Sequence, residues 1–532
     1  MTHERAILTA ALLLVVAMLF VHLGGYPLLD ADEGRNAEVA REMAATNDYV
    51  MPRLDGLPYL DKPIIFFAAS AAFMEFLGPT ETAARLPALM FTLMTAAALA
   101  WFARRNGIEW RATAIIFLTT PLTLAFSRTV IFDSALTFFI TVAILAFYEA
   151  VEYAKPRQWS TVAWAAIAFG VITKGPVALA VPLLVAIPYA IWRKRSRALV
   201  SIGGLVAFVV IVTPWVWAIS RAVPDFLHYV FITETAGRLT SGELKRTGPP
   251  WYFVPFLIGG AFPWIAAAMF GERRAASGER ERWLDRFLLF WIGVPFVFFS
   301  LSQSKRPQYI LPLMPAIALF VARRWFEGRR GPRAAAIATI AFGLLLFAAA
   351  PLVKLRPEYA DAARYAAIVV GACAIVGGVT ALIASRTFAL IALTLPVIAI
   401  PIAANPLMNA LAVRRSTKAL IAQLQPFTGG AEVIGVEAFS GSMAFYLRAP
   451  IVVVSPDAEE FTSNYLTRHY AQFANDRSTL HAPSWLPRAF DHSRQRVFLV
   501  RSNDAANRAL LERNGARMAA TSARFVAYTM PR

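Results

Sequence analysis

The sequence predicts an α-helical polytopic membrane protein of about thirteen transmembrane helices that ends in a small α/β domain. Three observations carry this. The 532 residues are 58% apolar and 16% charged, with a mean hydropathy of +0.53, more apolar and less charged than a soluble domain. Arginine and lysine gather in short links between apolar runs of about 20 residues, the length that crosses a bilayer. Beyond Asn405 the long runs stop, and short β-branched segments alternate with helix-like stretches.

In chain order the apolar windows fall near 6–26, 82–103, 111–127, 131–150, 159–173, 176–192, 200–219, 251–270, 286–302, 309–326, 334–353, 364–384 and 387–404. The first follows Arg5 but precedes no small-residue cleavage pattern, and further spans follow it, so it is expected to be a span and not a removed signal. The basic links contain Arg104 and Arg105, Lys155 and Arg157, Arg193 to Arg197, Arg273 to Arg286, and Arg323 to Arg333. They alternate along the chain if the N-terminus is cytoplasmic. Ile64–Leu77, at about fourteen residues, is short for a span and is expected to lie on the outer surface as a juxtamembrane helix.

With that alternation, the loop 27–80, the turn before Asp133, the Thr173-Lys174-Gly175 junction, the loop 220–250 and the junction around Lys305 share the face away from the cytoplasm. The expected organisation is a transmembrane domain over 1–404, carrying the outer loop 27–80, and a periplasmic α/β domain over 405–532, in a multi-pass protein of the inner membrane. In the latter, strands are expected at 432–436, 451–454 and 497–500, and helices at 417–424, 458–473 and 504–514. Its fifteen basic against nine acidic residues suit either a solubilising cap or a face for an anionic lipid or glycan. A net charge of +18 would suggest nucleic acid in a soluble protein; arginines confined to links between spans exclude that partner and leave the lipid bilayer. The single cysteine, Cys373, excludes an internal disulfide and a multi-cysteine metal site.

Chemistry is concentrated in the first outer loop, where Asp30, Asp32, Glu33, Arg35, Glu38 and Lys62 lie close together beside a membrane. The pattern Asp32-Glu33-x-Arg35-x-x-Glu38 followed by Lys62-Pro63 resembles the lipid-linked-sugar glycosyltransferases of the GT-C fold. Within them it is similar to the aminoarabinose transferases that modify lipid A and to the bacterial relatives of protein O-mannosyltransferases. Further matching positions are Arg85-Leu-Pro, Asp133, Thr173-Lys174-Gly175, Glu234-x3-Arg238, Gly248-Pro-Pro-Trp251-Tyr252 and Lys305-Arg306-Pro-x-Tyr309, over roughly residues 1–330.

The resemblance implies an inverting-type membrane glycosyltransferase. It would take a sugar from a polyprenyl (undecaprenyl) phosphate donor to lipid A, lipopolysaccharide or another outer-leaflet glycolipid. A protein hydroxyl acceptor, or transport of a lipid-linked sugar, are the alternatives; transporters tend to carry charge along a pathway and internal repeats, whereas here charge gathers on one face and no repeat is visible. Breaking an anomeric C–O bond puts negative charge on the leaving phosphate, which cations must stabilise. The resemblance assigns donor-phosphate binding to Arg35, Lys62, Lys174, Arg238 and Tyr309, and catalytic roles to Asp32, Glu33 and Asp133. Asp32 would act as general base or steer the acceptor. Asp133 could hold a cation, bind sugar hydroxyls or cap the helix that follows. A cap also competes for the first loop, where it fits Asp30 better than Asp32. No cofactor is required by this reading, and no metal site is assigned. A divalent metal is possible but unsupported, because Thr235 stands where the aminoarabinose transferases have a histidine, and the six histidines show no ligand spacing.

Overall fold

A computed structural model describes residues 2–153, 155–229, 248–272, 278–352, 355–491 and 494–530. The chain divides into two compact units, one formed by Met1–Leu23 and Leu86–Leu407, the other by Gly24–Arg85 and Met408–Arg532. The boundary differs from one drawn at residue 404, because the first outer loop packs with the C-terminal residues.

The first unit is helical. Among the described residues, eight helices are long and apolar enough to cross a membrane, or nine if the bent pair Pro250–Gly260 and Trp264–Phe270 is one span. The expected count of thirteen is not reached on length and composition, and the reason is local. The window 111–127 is two helices, Trp110–Leu118 and Pro121–Ser127, interrupted at Thr119 and Thr120. The window 309–326 opens with a 3₁₀ turn, Pro307–Leu313, Val177–Trp192 stops at 16 residues, and 251–270 bends by 106°. Prolines at the starts of Pro121–Ser127 and Pro307–Leu313 remove N–H donors and restrict the preceding residue.

The helix Asp133–Glu152 lies deepest, with 83% of its apolar window buried. It pairs with Pro156–Lys174 across a short link. At about 1.5 Å per residue the two are nearly equal in length, so Asp133, first in one, meets Lys174, last in the other. Toward the far end of Asp133–Glu152, link arginines are tied to its acids, Arg105 Nε to Glu149 at 2.7 Å and Arg193 Nε to Glu152 at 2.6 Å, and elsewhere in the unit Arg323 Nε bonds Asp285 at 2.7 Å. The basic links are thus packed against the bundle as well as solvated.

The second unit joins two distant pieces of chain. In the outer loop, the helix Asp32–Thr46 is followed by the strands β1 (Arg53–Leu54) and β2 (Leu57–Pro58) and the helix Ile65–Leu77. Asp55 and Gly56 take φ of +56° and +77°, as a two-residue Asp-Gly hairpin turn requires, and Glu42 accepts the N–H groups of both. The C-terminal piece forms a six-stranded sheet in the order β5-β4-β3-β6-β8-β7, with β3 Glu432–Val436, β4 Val452–Val454, β5 Leu480–His481, β6 Arg496–Arg501, β7 Arg517–Thr521 and β8 Phe525–Thr529. β3 to β6 run parallel, while β8 pairs antiparallel with β6 and β7. The near-continuous apolar runs of β3, β4 and β6 are those of strands covered on both faces.

Strands β3, β4 and β6 fall where the sequence placed them, as do the helices Lys418–Thr428 and Ala505–Arg513. The helix expected over 458–473 is instead three short turns, Glu459–Phe461, Asn464–Arg468 and Tyr470–Phe473, because Ala458 and Thr462 adopt left-handed φ of 61° and 53°. The two pieces of the unit meet at glycines. A Cβ on Gly441 would lie 2.2 Å from the Arg35 backbone, and one on Gly34 2.4 Å from the Ser442 nitrogen. Only a residue without a side chain lets the helices Asp32–Thr46 and Gly441–Leu447 approach so closely.

Candidate active site

In the second unit, the acids of the first loop have different partners. Asp32 Oδ1 accepts a hydrogen bond from Arg35 Nη2 at 2.7 Å, and its side chain is 38% exposed. Glu33 is 6% exposed. Its Oε1 accepts from Arg85 Nε and its Oε2 from Arg85 Nη2, both at 2.9 Å. Arg85 is fully buried, donates also to the carbonyls of Tyr26 and Pro27, and lies 3.8 Å from the Tyr26 ring centroid. This fork geometry joins two of the motifs singled out in the sequence. Of the two acids, Asp32 is the more exposed.

Arg35 Nη1 donates to the Thr462 carbonyl at 3.2 Å and to Thr462 Oγ1 at 2.7 Å, and its guanidinium lies 5.6 Å from the Tyr59 ring centroid. Lys62 Nζ donates to the carbonyl of Asp61. Asp30 does not cap the helix: Ala31 occupies that position with no side-chain bond. Asp30 Oδ1 accepts from the Ser442 N–H at 3.0 Å and Oδ2 from Ser442 Oγ at 2.5 Å. Burial raises the Asp30 pKa against the opposing pull of Ser442 and Arg524.

Behind these, Glu38 is gripped by Arg41 Nε and Nη2 at 2.6 and 2.7 Å. Burial nevertheless pushes its carboxyl up to about 8, aided by Glu42. Asp55 is also raised, first by burial and then by Glu42 and Glu38. A carboxyl raised in the folded state holds a proton that the unfolded chain releases near 4.5. Its stabilisation is therefore complete below that pH and lost as pH rises through about 8. The melting temperature is expected to fall between these values, with Glu38→Gln flattening the slope in thermal melts followed against pH. An unaltered slope in that variant would exclude Glu38 as its source.

In the first unit, Lys174 Nζ stands 2.5 Å from Asp133 Oδ1, with the two side chains 14% and 2% exposed. The second Asp133 oxygen, Oδ2, has no hydrogen-bond partner among the described residues. The Lys174 nitrogen lies 5.4 Å from the Tyr309 ring centroid, and Gly175, at φ +83°, ends the lysine's helix. Charge buried among membrane helices is costly unless paired and marks functional positions. The sequence-assigned residues Asp133, Lys174 and Tyr309 are thus brought together. Arg238, with Glu234, lies outside the described residues. Among the described residues, no group of three or more acidic, histidine or cysteine side chains could hold a metal ion.

Residues 37–230 match the family model for dolichyl-phosphate-mannose-protein mannosyltransferase. The chain is 31% identical over 340 residues to the undecaprenyl phosphate-alpha-4-amino-4-deoxy-L-arabinose arabinosyl transferase of Erwinia tasmaniensis, a match covering 61% of each. It is 29% identical over 405 residues to the enzyme of the same name from Aeromonas salmonicida, covering 70% of this chain and 72% of that one. The match to the first of these relatives therefore spans about three fifths of its length. The crystal structure of ArnT from Cupriavidus metallidurans bound to undecaprenyl phosphate superposes over 98% of this chain and 97% of that chain, with a TM-score of 0.85 at 24% identity.

The chain has the fold of that ArnT. Ser442, Thr462 and Arg524 were not foreseen from the sequence as partners of the first loop. Their contacts span 412, 427 and 494 residues, and no local pattern announces a partner at such a distance.

Proposed function

We propose that the protein transfers a sugar from an undecaprenyl-phosphate donor to lipid A or another glycolipid of the outer leaflet, with its loops facing the periplasm. The observation that carries this reading is the buried Lys174–Asp133 pair. A cation at a helix end in an apolar unit supports binding of a lipid-borne phosphate. The names of the relatives from Erwinia tasmaniensis and Aeromonas salmonicida supply the donor class and a sugar.

In the reaction, an acceptor oxygen attacks the anomeric carbon while the C–O bond to phosphate breaks, and the bonding pair leaves with the phosphate. Lys174 offsets the charge that develops there. A hydroxyl acceptor gives its proton to Asp32 as the new bond forms, and Arg35, bonded to Asp32, holds that carboxylate oriented. An already ionised phosphate acceptor would need Asp32 only for orientation.

The family match over 37–230 favours one second reading, a protein hydroxyl as acceptor. Mass spectrometry of lipid A, glycolipids and periplasmic proteins from a gene-deletion strain separates the two. The expected result is a glycolipid lighter by one sugar. Glycolipids of unchanged mass, with a periplasmic protein that has lost a hexose, would overturn the lipid acceptor.

A further inference from the structure

The second unit contains a pocket of about 440 Å³ placed by the topology of its sheet. From β3 the chain moves outward to β4 and β5, then returns to lay β6 on the other side of β3. The parallel strands therefore reverse their order between β3 and β6, and open parallel sheets bind ligands at the carboxyl ends of the strands flanking such a point. The pocket is at that edge. Arg501, Ser502 and Asn503 end or follow β6, Phe439 follows β3, and Glu459 to Thr462 follow β4.

Its walls are chemically mixed. Arg501 and Arg524 are 49% and 41% exposed. Each makes a single long side-chain ion-pair contact among the described residues, Arg501 to Glu460 at 3.5 Å and Arg524 to Asp30 at 3.4 Å. A guanidinium has five N–H donors in a fork suited to phosphate, so both retain donors for an anion. Glu459 and Asn503 are exposed at the rim and offer the carboxylate and amide that bind sugar hydroxyls. Phe439, stacked on Phe461 at 4.4 Å, and Phe525 form an apolar floor. Thr462 is a β-branched residue held at φ +53°, a conformation such residues rarely adopt and one that costs energy kept at functional sites. Arg35 donates both to Thr462 and to Asp32, so the pocket wall is one side chain away from the proposed base.

We propose that this pocket binds a phosphorylated saccharide, with Arg501 and Arg524 on the phosphate and Asn503 and Glu459 on the hydroxyls. That its source is the headgroup of the acceptor glycolipid rests on the proposed function; the binding chemistry does not. Full-length protein in phosphatidylcholine nanodiscs, titrated calorimetrically with glucosamine 1-phosphate, glucosamine and inorganic phosphate, tests it.

The phosphorylated sugar is expected to bind at least tenfold more tightly than either fragment. Arg501→Gln should weaken it about tenfold, as for one lost charge-assisted hydrogen bond, and Arg501→Lys should restore part, with the melting curve unchanged in both. No binding of glucosamine 1-phosphate, equal binding by Arg501→Gln, or displacement of the probe by undecaprenyl phosphate would overturn the site. With lipid A as acceptor, a raised KM for lipid A and an unchanged KM for donor in Arg501→Gln identify a glycolipid headgroup as the source. An unchanged lipid A KM beside weakened probe binding identifies a free sugar phosphate. Tight probe binding by a protein that transfers no sugar would defeat the proposed function and support the site.

Discussion

Replacing Asp32 by Asn is expected to leave a protein that inserts and folds but transfers sugar to a hydroxyl acceptor at least about 100-fold more slowly, the loss typical when acid–base assistance is removed. The substitution keeps the volume of the side chain and the oxygen that accepts the Arg35 hydrogen bond. It removes only the charge that can take a proton. Because Asp32 is 38% exposed, it carries little of the unit's packing, so altered turnover reports chemistry. Single-turnover transfer by purified protein measures it. A rate within a few-fold of that of the unaltered protein would reduce Asp32 to an acid in the first turn of a helix, favourable to the helix dipole and no more.

Lys174→Ala is expected to act on stability and on donor use together. With its partner gone, Asp133 is a 2% exposed carboxylate without compensation, and breaking such buried pairs costs about 3–5 kcal/mol. Adding Asp133→Asn should recover most of that stability, because the uncompensated charge is removed, but not use of the polyprenyl-phosphate donor. Lys174→Arg should restore donor use only partly, since a planar guanidinium replaces a compact ammonium. Thermal melts and donor titrations on the three variants check this. Normal donor affinity in the double variant would show that the lysine serves the packing of its helix alone.

The contacts of the loops were legible in the sequence wherever they depend on neighbours in the chain. Asp32 and Arg35, three residues apart on one helix, are joined as their spacing suggests. The α/β character of residues 405–532 was legible because buried parallel strands such as Val452–Val454 are uniformly apolar. The edge strands were not: Leu480–His481 is two residues long, and Arg517–Thr521 is mostly exposed and lacks the apolar signal. The helix expected over 458–473 failed because propensity does not register that Thr462 is left-handed and bonded to Arg35, 427 residues away. Membrane windows read by hydropathy likewise merged helices that prolines and short 3₁₀ turns divide.

The second unit is made from two pieces of chain that leave the ribosome far apart in time. Asp30 and Ser442 are separated by 412 residues, roughly 20–80 s of translation at about 5–20 residues per second. For that interval the first loop has Gly34, Asp30 and Arg35 prepared for partners not yet synthesised. The loop is therefore a late-folding element despite being translated early, and its high-separation contacts are of the kind that slows folding. A chain cut short before Ser442 would be left with an unpartnered Asp30 and an Arg35 without Thr462. Loss of activity in such a truncation would report failed maturation of the first loop and not the removal of an accessory domain.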